Sequence, residues 1–424
     1  MSQALRILIA LVAGLGVGIA LANYAPGAGG FALHYFTKPI GSAWLHGLQM
    51  VIVPLVVALL VIGIAASAEA ARAGRIAASA LICFVAILWF NTLLSAFVTP
   101  MLLQLFPLPH EWAEALRASL SSAKVAGQVP SLSDFFDKIV PTNIVAAASA
   151  DAFLPLTVFA MVFAFAITRL PTERRKLLLD FFQAIADAMI VVIGWVLMLA
   201  PVGVFCLAFG LGMETGAAAF GALLHYILIV SSLGIIVLLS AYPIAAIGAR
   251  MRIGRFAREV LPSQVVALST SSSLASLPTM LRSSEALGAP ATVSGVVLPI
   301  AVAVFRATSP AMNLAVALYV AHLTGTPIGP GQLAAGIATA AITTMGSVSL
   351  PGTISFFASV APVAVAMGVP IEALGLLVAV ETVPDLFRTL GNVTMDVAVT
   401  ATIARRTGDG EPKTETDALL AEEL

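Results

Sequence analysis

Residues 381–396 read ETVPDLFRTLGNVTMD and lie inside a long apolar segment. At 100° per residue, Glu381, Asp385, Arg388, Asn392 and Asp396 fall within one helical stripe about 80° wide, and the opposite face is apolar. A charge near the centre of a bilayer costs roughly 2.5–3.5 kcal/mol on insertion scales, so three acids and an arginine on one stripe need partners, water or cargo. A ladder of ion pairs serving stability alone would not interleave Thr389 and Asn392, which are neutral ligand groups. The stripe therefore reads as a binding site.

The surrounding chain has 424 residues, of which 60% are hydrophobic and 10% charged, with a mean hydropathy of +1.03. That composition excludes a soluble globular protein. The runs 51–66, 77–106, 153–167, 188–211 and 217–247 are for the most part long enough to cross a hydrocarbon core of roughly 30 Å. The chain reads as a polytopic membrane protein in the lipid bilayer.

The net charge of −1 is uninformative about partners, and nothing points to nucleic acid. The placement of basic residues says more. They gather at Arg72 and Arg75, at Arg169, Arg174, Arg175 and Lys176, at Arg250, Arg252, Arg255 and Arg258, and at Arg405 and Arg406. These loops are expected in the cytoplasm, with 107–138 outside and both termini inside. The first apolar stretch, near 4–25, shows no convincing cleavage site and reads as a retained span. The acid-rich tail after Arg406 reads as a disordered end. Cys83 and Cys206 sit in apolar segments as packing residues and do not report the redox compartment. His225 and His322 are too scattered for a metal cluster, and no cofactor is expected.

Six spanning segments come first, ending near Ile247. Two are much longer than the roughly 20 residues a span needs, which predicts tilt or breaks. Residues 130–155, with Pro141, Thr142 and Asn143, suggest a helix entered through a kink. Residues 265–281 then read VVALSTSSSLASLPTML, with serines at the centre of an uncharged segment. That suits a re-entrant hairpin whose tip lines a cavity, because irregular backbone at membrane depth survives only against protein or water. A serine-rich packing face is the alternative. Residues 344–353, TMGSVSLPGT, repeat the Ser-Leu-Pro signal. Each stretch is followed by an apolar segment interrupted by polar residues, FRATSP at 305–310 and the 381–396 stripe. Hairpin then broken helix, twice and in opposite orientation, is an inverted repeat of the kind found in secondary transporters. An intramembrane hydrolase would need a base for Ser271, Ser272 or Ser273, and neither histidine has a motif link to them. A sensor or channel-like protein is a third class, marked by binding without flux.

These residues resemble the dicarboxylate/amino acid:cation symporters, the bacterial and archaeal relatives of the glutamate transporters. The resemblance covers most of the chain. Its most specific parts are the serine tip with Leu277-Pro278, the stretch QMVIVPL at 49–55, and Asp385-x-x-Arg388-Thr389-x-x-Asn392-Val393-Thr394-x-Asp396. It implies an all-α integral membrane protein of the glutamate-transporter fold, with eight transmembrane helices, two re-entrant helical hairpins and inverted repeats. It further implies scaffold helices in 1–73, a transport-domain helix in 74–106, an external loop and scaffold helices in 107–208, a transport domain in 209–404 and a cytoplasmic tail in 405–424. A homotrimer in the bacterial inner membrane, with transport regions moving as elevators, is the expected assembly. By the same resemblance Arg388 binds a substrate carboxylate, Asp385 an amino group, and Thr389 and Asn392 complete the pocket with Ser272, Ser273, Ser309 and Leu350. The chemistry agrees, since a guanidinium fork suits a carboxylate and a carboxylate suits an ammonium. Asp385 favours an acidic amino acid over a dicarboxylate lacking an amino group.

The departures from the family are specific. Where it carries Asn-Met-Asp-Gly-Thr, this chain has Phe305-Arg306-Ala307-Thr308-Ser309, which removes two oxygen-bearing sodium ligands. A register matching Ala317-Leu318-Tyr319 instead shifts the motif to 312–316, again without the aspartate. On the third helix the family's Thr-Ser pair falls on Ile87 and Leu88, or in a gapped register on Leu94 and Ser95. Aliphatic side chains cannot replace oxygen ligands for a hard cation. Asn392 and Asp396 remain for a different sodium, and a residual sodium on the backbone of Ala303, Thr344, Met345 and Ser347 stays open. Arg306 is expected to pair with Asp396 or Glu381 and stand in for a bound cation. Direct substrate contact and outward snorkelling are the other readings. Coupling then falls to protons, through Glu381, to a residual sodium, or to neither. Ile354, in place of a glycine, is expected to narrow the pocket.

Overall fold

The computed structural model describes residues 3–72, 74–109, 140–150, 153–215, 218–346 and 352–407, and no strand occurs among them. The chain begins with α1 (Gln3–Tyr24), α2 (Pro26–Ala32), a π turn (Leu33–Thr37), α3 (Lys38–Gln49), α4 (Ile52–Arg72) and α5 (Arg75–Leu105). Next come α6 (Ile144–Ser149), α7 (Phe153–Ile167), α8 (Thr172–Met198), α9 (Ala200–Thr215) and α10 (Ala218–Gly248). The last part holds α11 (Ile253–Thr270), α12 (Leu277–Ala286), α13 (Ala291–Val304), α14 (Ser309–Thr324), α15 (Pro330–Gly346), α16 (Gly352–Ala366), α17 (Leu374–Leu377) and α18 (Thr382–Arg406). Six helical segments among the described residues are long and apolar enough to cross a membrane.

Local chemistry sets several boundaries. Asn143 caps α6 by accepting from the backbone N–H groups of Val145 and Ala146 at 2.9 and 3.2 Å. α11 stops at Ser271, whose φ of 49° is left-handed, and α14 stops at Gly325 in the same region. The two overlong segments are continuous: α5 and α10 each run 31 residues despite Pro100 and Pro243 within them. The tail beyond Thr407 lies outside the described residues, as do most of 107–138 and residues 347–351.

Two large apolar clusters and one small one occur among the described residues. One large cluster draws on α1, α3, α4, α9, the first half of α10, most of α14, and α16. The other gathers the first half of α5, the second half of α10, and α11, α12, α13 and α18. Between α13 and α14 the chain unwinds at 305–308, and side chains of other helices satisfy the freed backbone. Asn91 Nδ2 donates to Ala307 O at 2.9 Å, and the Thr308 N–H donates to Asn392 Oδ1 at 2.9 Å. Non-helical backbone among apolar helices requires such partners. Gly391 permits the approach, because a Cβ there would run into Thr308.

α1 crosses α9 on a face of small residues. A Cβ added at Gly14 would lie 2.5 Å from Phe205 O, one at Gly18 would strike Phe209 O, and one at Gly212 would lie 2.6 Å from Leu15 O. The Gly14-xxx-Gly18 spacing thus brings two backbones together, which is how helices gain packing where lipid removes the hydrophobic driving force. Gly16 faces open space. Gly18→Leu is expected to lower stability by about 3 kcal/mol through overpacking, whereas Gly16→Leu leaves it unchanged. Thermal unfolding of the detergent-solubilised proteins checks this, and equal midpoints for the two would show that the crossing does not matter.

Candidate functional site

The stripe forms as its spacing predicts. Glu381 is the N-cap of α18, and Asp385, Arg388, Asn392 and Asp396 follow on the same helix. Its centre is the Arg388 guanidinium, 4% exposed, which three groups surround. Nη2 donates to Glu381 Oε1 at 2.6 Å, Nη1 to Asn313 Oδ1 at 2.7 Å, and Nε lies 3.3 Å from Asp385 Oδ1. Glu381 is itself buried, and its second oxygen accepts from the Tyr226 hydroxyl at 2.6 Å. The cluster therefore ties α10, α14 and α18 together. The guanidinium thus meets two carboxylates and one amide carbonyl, the opposite charge that a buried arginine requires.

Two polar atoms beside this cluster are unpaired. Ser309 Oγ and Asn313 Nδ2 are buried and have no hydrogen-bond partner among the described residues. Four residues apart on α14, they share a face with the carbonyl that Arg388 holds. Both can donate, so they suit an acceptor oxygen. Thr389 is buried on the adjoining turn.

The cation end differs. Asn392 Oδ1 accepts from both the N–H and the hydroxyl of Thr308, at 2.9 and 2.6 Å. The same hydroxyl reaches Arg388 O at 2.7 Å. Both oxygens of Asp396, 1% exposed, have no hydrogen-bond partner among the described residues. Phe305 stacks on Phe84 of α5, centroids 4.3 Å apart and planes 9° apart. An aromatic pair thus fills the place where an asparagine is expected from the resemblance. Ile87 and Leu88 pack around it in apolar surroundings. The polar atoms of α5 face α14 a turn later: Asn91 bonds Ala307 O, and Ser95 Oγ bonds Ala311 O at 2.7 Å.

Arg306 departs from expectation. Among the described residues no hydrogen bond or ion pair links it to Glu381, which accepts from Tyr226 and Arg388, or to Asp396.

The first serine tip folds as a turn between α11 and α12. Ser272 Oγ accepts from the Ala275 N–H at 3.2 Å, and Ser276 Oγ donates to Ser272 O at 2.9 Å. Ser272 and Ser273 are half-buried, with no contact to the Arg388 cluster among the hydrogen bonds of the described residues. Ala303 is exposed near the end of α13, Thr344 is buried and Met345 half-buried near the end of α15. Ser347 and Leu350 lie outside the described residues, and Ile354 lies where side chains are not described. Reading the sequence missed Tyr226, Asn313, Thr308 and Asn91. Only Asn313 left a signal, one turn beyond Ser309.

A model of the sodium:dicarboxylate symporter family matches residues 4–406. The chain belongs to that family. It is a family of transporters, not of enzymes, and its chains cross the membrane several times. Among similar proteins, the proton/glutamate-aspartate symporter of Escherichia coli K12 is 28% identical over 416 residues, 95% of this chain and 92% of the relative. The C4-dicarboxylate transport protein of Deinococcus radiodurans is 28% identical, covering 99% of this chain and 92% of its own length. The proton/sodium-glutamate symport protein of Bacillus subtilis is 27% identical, with 97% and 95% covered.

Removing one member of a buried ion pair strands the other, typically at about 3–5 kcal/mol. Glu381→Gln is expected to destabilise this symporter-family protein on that scale. Adding Arg388→Gln to Glu381→Gln is expected to restore much of the loss. Chemical unfolding of the two variants in detergent checks the sign, and a double variant weaker than the single would refute the pairing.

Proposed function

We propose that this chain is a secondary transporter of an acidic amino acid or a related dicarboxylate, with sodium coupling altered or lost. The observation that carries the reading is the buried Arg388 guanidinium with the unpaired donors of Ser309 and Asn313 beside it. A guanidinium and two donors are the groups that receive a carboxylate. The printed activities of the relatives, glutamate-aspartate and C4-dicarboxylate transport, point the same way. Asp385 remains in place to hold an ammonium, which favours the amino acid.

In this reading the pairs α11/α12 and α15/α16 are the two re-entrant hairpins of an eight-span fold. The transport region comprises 74–106 and 209–404, and it moves past the scaffold of 1–73 and 107–208 within a homotrimer. The termini face the cytoplasm of a bacterium. Sodium binding is weakened in three ways: positions 305 and 307 offer no side-chain oxygen, Phe305 is stacked on Phe84, and Thr308 engages the Asn392 carbonyl. Arg306 then serves as a resident cation. A built-in charge supplies no gradient energy, so coupling falls to protons at Glu381 or to one sodium at the backbone of Ala303, Thr344, Met345 and Ser347. A second reading, favoured by the place of Arg306 in the unwound stretch between α13 and α14, has it touch substrate directly.

Uptake of labelled aspartate, glutamate and succinate into proteoliposomes tests this, under an inward sodium gradient, an inward proton gradient, or neither. Uptake is expected to ignore sodium and to follow protons or exchange. The triple variant Phe305→Asn, Ala307→Asp, Thr308→Gly is expected to gain sodium stimulation. Arg306→Met separates the two readings: a substrate contact predicts a KM raised about tenfold to hundredfold, a surrogate predicts new sodium sensitivity. Steep sodium dependence of the unmodified protein sinks the coupling proposal, and binding without uptake sinks transport.

A further inference from the structure

Four arginines from two parts of the chain converge on one cavity remote from the site above. The cavity, of about 480 Å³, is lined by Arg250, Arg252 and Arg255, by Arg405 in the last turn of α18, and by Leu287 and Gly288 after α12, among others. No carboxylate lines it among the described residues. Backbone geometry shapes it: Arg250 has φ 53° and Gly288 φ 93°, so both connections turn in left-handed conformations. Arg255 is fixed at its rim by donating to Ala286 O at 2.9 Å. The first turn of α11 opens on the same space, with Arg252 as an N-cap that supplies no side-chain acceptor.

Orientation rules account for arginines on this face of a membrane protein, but not for their convergence on a concave space free of acids. Like charges brought together repel, and an anion relieves that cost. Guanidinium groups are matched to phosphate oxygens by their planar fork, and an uncapped helix N-terminus adds a favourable field. Basic pockets between helices at the cytoplasmic leaflet suit anionic headgroups on the same physics. We propose that this cavity binds a phosphate-bearing anion, supplied either as a lipid headgroup or as a free phosphate. The site is independent of the substrate reading.

The test uses the full chain in phosphatidylcholine nanodiscs, with pyrophosphate as the soluble probe and added phosphatidylglycerol as the lipid probe. The readouts are the thermal unfolding midpoint and lipid retained in native mass spectrometry. Arg252→Gln/Arg405→Gln removes two of the four charges. Arg174→Gln/Arg175→Gln, at the start of α8, is the control. The unmodified protein and the control are expected to be stabilised by one probe, with half-saturation shifted about tenfold or more upward in the cavity variant. A response to pyrophosphate identifies a free anion, and one confined to phosphatidylglycerol identifies a headgroup. Where the double variant is not recovered, Arg405→Gln alone carries the comparison. Equal responses of variant and parent overturn the proposal, as does no response to either probe. A response that appears only after truncation beyond Thr407 also overturns it, by showing that the acidic tail occupies the cavity.

Discussion

A guanidinium removed from water must be met on every side, and Arg388 is met by Glu381, Asp385 and Asn313. That one requirement fixes much else. Glu381 has to be buried with it, so a tyrosine from α10 caps its second oxygen. Asn313 has to turn its carbonyl toward α18, which leaves its amide unsatisfied beside Ser309. Three helices far apart in sequence are thereby held by hydrogen bonds rather than by apolar contact alone. In lipid, where apolar association is weak, such bonds and close backbone packing supply the specificity.

The unwound residues 305–308 show the same economy. A break in a helix exposes carbonyl and amide groups, and here α5 and α18 answer them with Asn91, Ser95 and Asn392. Answering them uses up atoms. The Asn392 carbonyl, otherwise a candidate ligand for a cation, receives two hydrogen bonds from Thr308, while Asp396 one turn further on receives none. The polar stripe thus divides into a bonded half around Arg388 and a half whose carboxylate has no bonded partner.

How much of this was legible follows from where the information lay. The stripe from Glu381 to Asp396 could be read because helical periodicity within one segment fixes which side chains share a face. The family could be read from the serine tip and the Asp385–Asp396 spacing, and the match over 4–406 agrees. Cross-helix partners were not legible. Tyr226 sits in a helix apolar all round, where no periodic signal marks a hydroxyl facing inward. Thr308 carried no assigned role in the sequence, whereas its hydroxyl ties the unwound stretch to α18. Arg306 was expected beside Asp396 or Glu381, but among the described residues no hydrogen bond or ion pair links it to either, because Glu381 accepts from Tyr226 and Arg388.

The bond from Thr308 to Asn392 ties the unwound stretch to α18. Restoring an asparagine at 305 alone would meet an aromatic stack on one side and an already engaged carbonyl on the other. Restoring a glycine at 308 alone would leave the Asn392 carbonyl short of partners in a dry interior. Each reversal is unfavourable until the others have occurred. Positions 305 and 308 are therefore coupled through Asn392, and a change at one alters what the other must satisfy.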